Sequence, residues 1–198
     1  MMSAAAWAAG RADTGRLGRA LDALGDSVEQ WRAVGFDSLR REILRRTGVR
    51  VDTEVFARGY ALDRAALALA RVADSALVDL GGQFFWVGRS ATARRVGIAD
   101  PQHSLVAIAA VEMRGGSVST STQGTVSVTV LAPSGVAAAG WSAALVTLGC
   151  DRALDDGGAA QVSVVCADSS GVRWSADLEG RVDLPTVGGR RAPRTPEP

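Results

Sequence analysis

Apolar residues recur every three or four positions along the first third of the chain, and every second position after that. Leu17, Leu21, Leu24 and Val28 mark a charged, helical stretch within Thr14 to Arg46. A second helix is expected over Asp37 to Arg46, opening on an N-cap aspartate and closing at Thr47-Gly48, where glycine takes the left-handed cap. A third runs from about Val55 to Val72, with Leu62, Ala66, Leu69 and Val72 on one face and Arg58, Arg64 and Arg71 turned away from it. Alternation and β-branched residues then predict strands over Ala76–Leu80, Gln83–Val87, Arg95–Ile98, Ser104–Val111, Ser117–Ser121 and Thr125–Leu131. Pro133 and Gly135 punctuate the chain before an alanine-rich helix from about Val136 to Leu148, and Gln161–Cys166 with Val172–Ser175 predict a closing hairpin. The order lacks regular βαβ alternation. This points to the α+β class, a single domain with a mixed or antiparallel sheet packed by helices.

Composition narrows the reading. With 198 residues, 47% hydrophobic and 22% charged, the chain has apolar material for one core. A flexible N-terminus is expected over 1–13, the domain over 14–180, and a disordered tail over 181–198, where GGRRAPRTPEP is rich in Pro and Arg. A net charge of +1 creates no long-range field to draw nucleic acid or an anionic membrane. The arginines Arg40, Arg41, Arg45 and Arg46 read as the wet face of a helix. The first residues lack a basic segment followed by an apolar run, and no stretch approaches the roughly 20 apolar residues that span a bilayer. A cytoplasmic protein is the expectation. Cys150 and Cys166 have neither CxxC spacing nor a second pair, so two half-buried reduced thiols are expected.

The common nucleotide, hydrolase and metalloprotease signatures are absent from the sequence. The sole histidine, His103 in ADPQHSL, has no nucleophile elbow to accompany it and reads as a bystander. Gly81-Gly82 at the end of ALVDLGGQ allows positive φ or a close approach, by a ligand or by a packed helix. The hydroxyls of SVSTSTQG suit either a phosphate or a turn.

Order lifts these fragments above their separate value. VDTEVFARGYALDRA, ALVDLGGQ, RRVGIADP, SVSTS and VTVLAPSGVAAAGWSAALVTLG follow one another in the sequence of motifs that marks the FAD:protein FMN transferases, and the chain resembles that family, called ApbE. The resemblance runs from about Val51 to Gly149 and more loosely to Asp177. It implies an α+β fold, binding of FAD with Mg²⁺, and transfer of the FMN half to a Ser or Thr hydroxyl of a target protein, with AMP released. Such a displacement at a diphosphate rests on a metal that neutralises charge, a base for the hydroxyl proton, and positioning.

Position by position, Ala57-Arg58-Gly59-Tyr60 falls on the family's Ala-Lys-Gly-Tyr, Asp63 on its following Asp, Gly81 and Gly82 on its glycine pair, and Thr120-Ser121 on its Thr-Ser turn. The resemblance thus implies Ala57, Arg58, Gly59, Asp63, Gly81, Gly82, Thr120 and Ser121 as cofactor-binding residues. Five departures accompany it. Gln83 and Thr122 stand where Asp and Gly are usual, and Asp52 to Phe56 contains no glycine. The family's metal-binding Asp and Thr fall on Ala139 and Ala143, which offer no side-chain oxygen to Mg²⁺. A His-Ile-Ile-Asp-Pro segment expected between Thr122 and Thr125 is missing, so no catalytic residue is assigned. Two functions are compatible with this pattern: an FMN transferase of impaired activity, and a non-catalytic relative that binds flavin or a partner protein.

Overall fold

The structure is a computed structural model, and it describes residues 34–37, 39–40, 42–45, 54–88, 93–187 and 190–191. The expected helix through Leu17 and Val28 lies outside the described residues, as do positions 1–13. The expected helix over Asp37–Arg46 is instead an antiparallel hairpin, β1 (Val34–Asp37) with β2 (Glu42–Arg45), registered from Val34↔Arg45 to Asp37↔Glu42. The physical reason is that one bond serves both structures. Asp37 Oδ1 accepts the amides of Leu39 and Arg40, each at 3.0 Å. An aspartate taking the amides two and three residues on will open a helix or close a turn alike.

Helix α1 (Glu54–Leu69) stops short of the expected Val72. Leu62 and Ala66 are buried, whereas Val72 is 83% exposed in the turn that leads to the next strand. Strands β3 (Ser75–Leu80), β4 (Gln83–Gly88) and β5 (Arg94–Ala99) come next. Strand β6 (Ala107–Met113) begins later than Ser104, because residues 100–106 fold into a turn closed by Asp100 N–H to the Val106 carbonyl, 2.8 Å. Then come β7 (Gly116–Gln123), β8 (Val126–Ala132), α2 (Gly135–Leu145) with a 3₁₀ turn over Val146–Leu148, and α3 (Cys150–Ala159). The chain continues through β9 (Ser163–Asp168), β10 (Gly171–Trp174), a 3₁₀ turn over Ala176–Leu178, and the short strands β11 (Val182–Asp183), β12 (Thr186–Val187) and β13 (Arg190–Arg191).

Six of these strands form one antiparallel sheet in the order β10-β9-β8-β7-β4-β3, and three form a second in the order β11-β6-β5. Because side chains alternate along a strand, the large sheet presents two different faces. Val128, Val130, Val164 and Cys166 pack with Ala138, Leu145 and Ala153 of the helices. Trp86, Val118, Leu131 and Val165 pack on the opposite side with Val96, Ile98, Val111 and Met113 of the small sheet. The α+β architecture is therefore three-layered: helices, large sheet, small sheet.

Helix α3 is not expected from its sequence, CDRALDDGGA, which carries two glycines and three aspartates. Tertiary contact explains one glycine, since a Cβ at Gly157 would stand 2.3 Å from Val164 Cγ2. Asp151 in the first turn suits the helix dipole and also meets Arg173 of β10, whose other nitrogen reaches Asp168 at 3.0 Å. The expectation of two free thiols is corrected here: Cys150 and Cys166 form a disulfide with Cα atoms 5.5 Å apart. Fold-back of α3 over β9 brings together two cysteines 16 positions apart, which no local motif announces.

The tail also begins later than residue 181. Val182 pairs with Val111 and is buried in the core, and Arg181 donates from Nη2 to the Glu112 carbonyl at 2.8 Å. Burial of one valine and edge pairing to β6 hold this stretch, although its composition reads as tail.

Candidate functional site

A cleft of about 320 Å³, open to solvent, lies where the β3–β4 turn, α1 and β7 meet, lined by Arg58, Gly81, Gly82, Gln83, Ser119, Thr120 and Ser121. Of the residues singled out from sequence, Arg58, Gly81, Gly82, Thr120 and Ser121 come together here, drawn from segments more than sixty positions apart. Ala57, Gly59 and Asp63 do not line it.

The glycine pair is first of all a turn. Leu80 and Gln83 are paired, leaving Gly81 and Gly82 as a two-residue hairpin loop with φ of +62° and +81°. Positive φ at both positions is the type I′ requirement, which matches the twist of the flanking strands. Asp79 Oδ1 accepts the Gly82 amide at 3.0 Å. Among the described residues, nothing lies within 4 Å of a Cβ built on Gly82, and at Gly81 the neighbour is the Arg58 side chain, its Nη1 at 3.7 Å. Backbone conformation, and no close approach, explains both residues.

Arg58 is weakly committed. Its Nη2 lies 3.6 Å from Glu54 Oε1 one helical turn back, in a pair whose side chains are 42% and 80% exposed. Exposed i,i+4 pairs of this kind contribute only a few tenths of a kcal/mol. Its Nε is buried and has no acceptor.

Gly59 and Asp63 face α2. A Cβ on Gly59 would meet the Gly135 carbonyl oxygen at 2.5 Å, so the two backbones cross in direct contact. Asp63 then clamps the crossing: Oδ1 accepts the Gly135 amide at 2.5 Å and Oδ2 the Val136 amide at 3.1 Å. Ser134 Oγ takes the Ala137 amide at 3.1 Å. The first turn of α2 is thus saturated by protein acceptors, and the Asp63 carboxylate expected at a cofactor is spent on a helix N-terminus. Gln83, where the family resemblance places an Asp, adds a second tether. Its Nε2 donates to the Gly135 carbonyl at 2.7 Å and to Ser117 Oγ at 3.4 Å.

Alternation along β7 sends Ser117, Ser119 and Ser121 toward the helices and Thr120 the other way. Ser142 of α2, fully buried, joins this stripe: its Oγ bonds Ser119 Oγ at 3.2 Å, Ser121 Oγ at 3.0 Å and the Ala139 carbonyl at 3.1 Å. Thr120 turns its hydroxyl to Thr129 at 2.8 Å on the opposite face, so what it adds to the cleft wall is not that hydroxyl. Ser119 is one of the SVSTSTQG hydroxyls read from sequence as suiting a phosphate or a turn, whereas Ser142 escapes sequence reasoning. The available signal was serine at every second position of SVSTS beside a strand pattern, facing a lone serine in an alanine-rich helix.

The residues do not fit a side-chain Mg²⁺ site. Ala139 is fully buried, Ala143 carries only a methyl group, and no group of three His, Cys, Asp or Glu able to hold a metal occurs among the described residues. The place where the His-Ile-Ile-Asp-Pro segment is missing is a tight turn, with Gln123 paired to Val126 around Gly124 at φ +60°. His103 lies in the β5–β6 turn, outside the cleft lining, its side chain 71% exposed with Nδ1 3.7 Å from Asp100 Oδ1. Asp100 is held below the ordinary carboxylate range, chiefly by the Gln102 amide at 2.7 Å and also by the His103 amide at 3.2 Å.

Known proteins share this arrangement of elements. The structure is similar to an ApbE protein from Thermotoga maritima, with 23% identity and a TM-score of 0.65, the match covering 76% of this chain and 59% of that one. A variant of the flavin transferase ApbE from Vibrio cholerae gives 20% identity and 0.62, over 76% and 56% of the two chains. The flavinyl transferase ApbE from Pseudomonas stutzeri gives 21% and 0.60, over 76% and 55%. The matched part thus amounts to somewhat more than half the length of each of these proteins. A comparison with curated protein sequences finds no match. The sequence model of the ApbE family matches residues 4–124. On a family-model match over more than half of its length, this chain belongs to the ApbE family.

Proposed function

We propose that this protein binds a flavin nucleotide of the FAD class in the cleft beside Arg58, and that its transfer of FMN to a Ser or Thr hydroxyl of a target protein is strongly impaired. The convergence of Arg58, the Gly81-Gly82 turn and Ser121 on one cleft carries the binding half of this reading. A guanidinium beside a hydroxyl suits a phosphate.

The impairment follows from the chemistry the cleft lacks. Ala139 and Ala143 supply no side-chain metal ligand, and no base stands in the lining among the described residues. Loss of a general base alone lowers rates by about 10²–10⁴-fold. Flavin fluorescence during titration with FAD tests the first half, and saturable quenching is expected. Incubation with FAD, Mg²⁺ and a Ser/Thr target peptide tests the second: labelling no faster than about one-hundredth of an intact family transferase is expected, and labelling at a comparable rate would sink it.

A further inference from the structure

Building on the flavin-nucleotide reading, we infer that phosphate recognition in this cleft is independent of divalent metal: Arg58 supplies the positive charge, and Ser121 lends a hydroxyl. Three observations converge on this. The first is the state of the nearby oxygens. A hard cation needs several of them free and suitably arranged, yet here they are engaged. Asp63 holds two amides of α2, Asp79 Oδ1 holds the Gly82 amide, and Ser119 and Ser121 share the one Ser142 hydroxyl; with Ser142 donating to Ser121, the Ser121 oxygen is engaged while its proton is left to give to a phosphate.

The second is the supply of positive charge. Arg58 is the one cationic residue in the lining among the described residues, and the α2 N-terminus has its first amides occupied by Asp63 and Ser134. The third is the freedom of the Arg58 guanidinium. Its partner Glu54 stands 3.6 Å away at the exposed surface, and its Nε lacks an acceptor. A guanidinium offers a planar fork that meets two phosphate oxygens at once, which a point-charge ammonium does not. Glu54, paired with Arg58 on α1, and Asp79, bonded to the Gly82 amide from β3, are carboxylates that contact lining residues, and both are exposed, where water screens them.

The deciding experiment titrates the full chain with FAD, FMN and riboflavin, each in Mg²⁺ and again in EDTA, and repeats the series with Arg58→Met. For the unmodified chain, FAD and FMN affinities in Mg²⁺ and EDTA should agree within about twofold, and riboflavin, which lacks phosphate, should bind about tenfold more weakly or worse. Arg58→Met should bring FAD down to the riboflavin level and leave riboflavin itself unchanged, which also reports that the variant is folded. FAD binding that strengthens about tenfold or more with Mg²⁺ overturns the inference while leaving the flavin reading intact. Saturable binding of none of the three overturns both. Riboflavin binding as tightly as FAD, or Arg58→Met without effect, removes Arg58 from the role. Should the variant fail to fold, the Mg²⁺ and EDTA comparison on the unmodified chain still decides.

Discussion

Asp63 shows how a residue chosen for one role is claimed by another. Its carboxylate takes two amides of a helix it does not belong to, 72 and 73 positions away, and so sets the crossing of α1 on α2. Removing an acceptor at a helix N-terminus costs about 0.5–2 kcal/mol. Asp63→Ala should therefore lower the urea unfolding free energy by about 1–2 kcal/mol, and Asp63→Asn, which keeps one acceptor oxygen, by less. A change in flavin affinity without a change in stability would assign Asp63 to the ligand instead. Gly59→Ala should be as damaging or more so. Its methyl group would stand 2.5 Å from a backbone oxygen that has no rotamer with which to escape, and overpacking of this kind costs about 1–3 kcal/mol. At Asp100 the folded carboxyl titrates below its ordinary 3.8, so its contribution is present above that pH and is lost as pH falls through the folded value. Asp100→Asn should flatten the acid limb of the stability profile slightly, and an unchanged limb would contradict the assignment.

At the level of helices and strands, local chemistry was readable wherever the local bond decides the outcome. The strands from β3 to β10 and helix α2 stand within a few residues of their expected positions, because alternation and the Pro133–Gly135 break specify them whatever the partner. The hairpin β1–β2 was not readable, since the Asp37 side chain makes the same bonds in a turn as at a helix start. Nor was α3, whose glycines make it a poor helix until Gly157 meets Val164. The β3–β4 turn yields a sharp test: Gly81→Val should cost about 1–2 kcal/mol through its positive φ, whereas Gly81→Asn should be nearly neutral in a thermal melt. The disulfide ties α3 to β9 across 16 positions, and closing a loop of about this length stabilises by about 3 kcal/mol. Replacing both cysteines by alanine should lower the unfolding free energy by about that amount, and mass analysis after alkylation without reductant should find no modified thiol.

Three layers share one sheet, and the cleft exists because of how the helical layer docks on it. Sequence order alone identified the family, and the family model and the solved structures agree with that reading. Arg58, the glycine pair and Ser121 were legible as site candidates through their places in the ordered motifs that resemble the family's, each weak when read alone. Ser142 was not legible, because this serine acquires meaning only from the packing of helix on strand that brings its hydroxyl 3.2 Å from that of Ser119. The α+β class, the succession of strands, the alanines at 139 and 143 and the missing histidine segment were all determined by the chain's own residues, through periodicity and side-chain chemistry that need no partner. Tertiary structure alone decided that Asp63 serves a helix end, that Thr120 turns its hydroxyl away, that two cysteines join, and that Arg58, only weakly paired with Glu54, stands at the cleft. Those outcomes depend on distances between segments far apart in the chain, and such distances are set only when the layers pack.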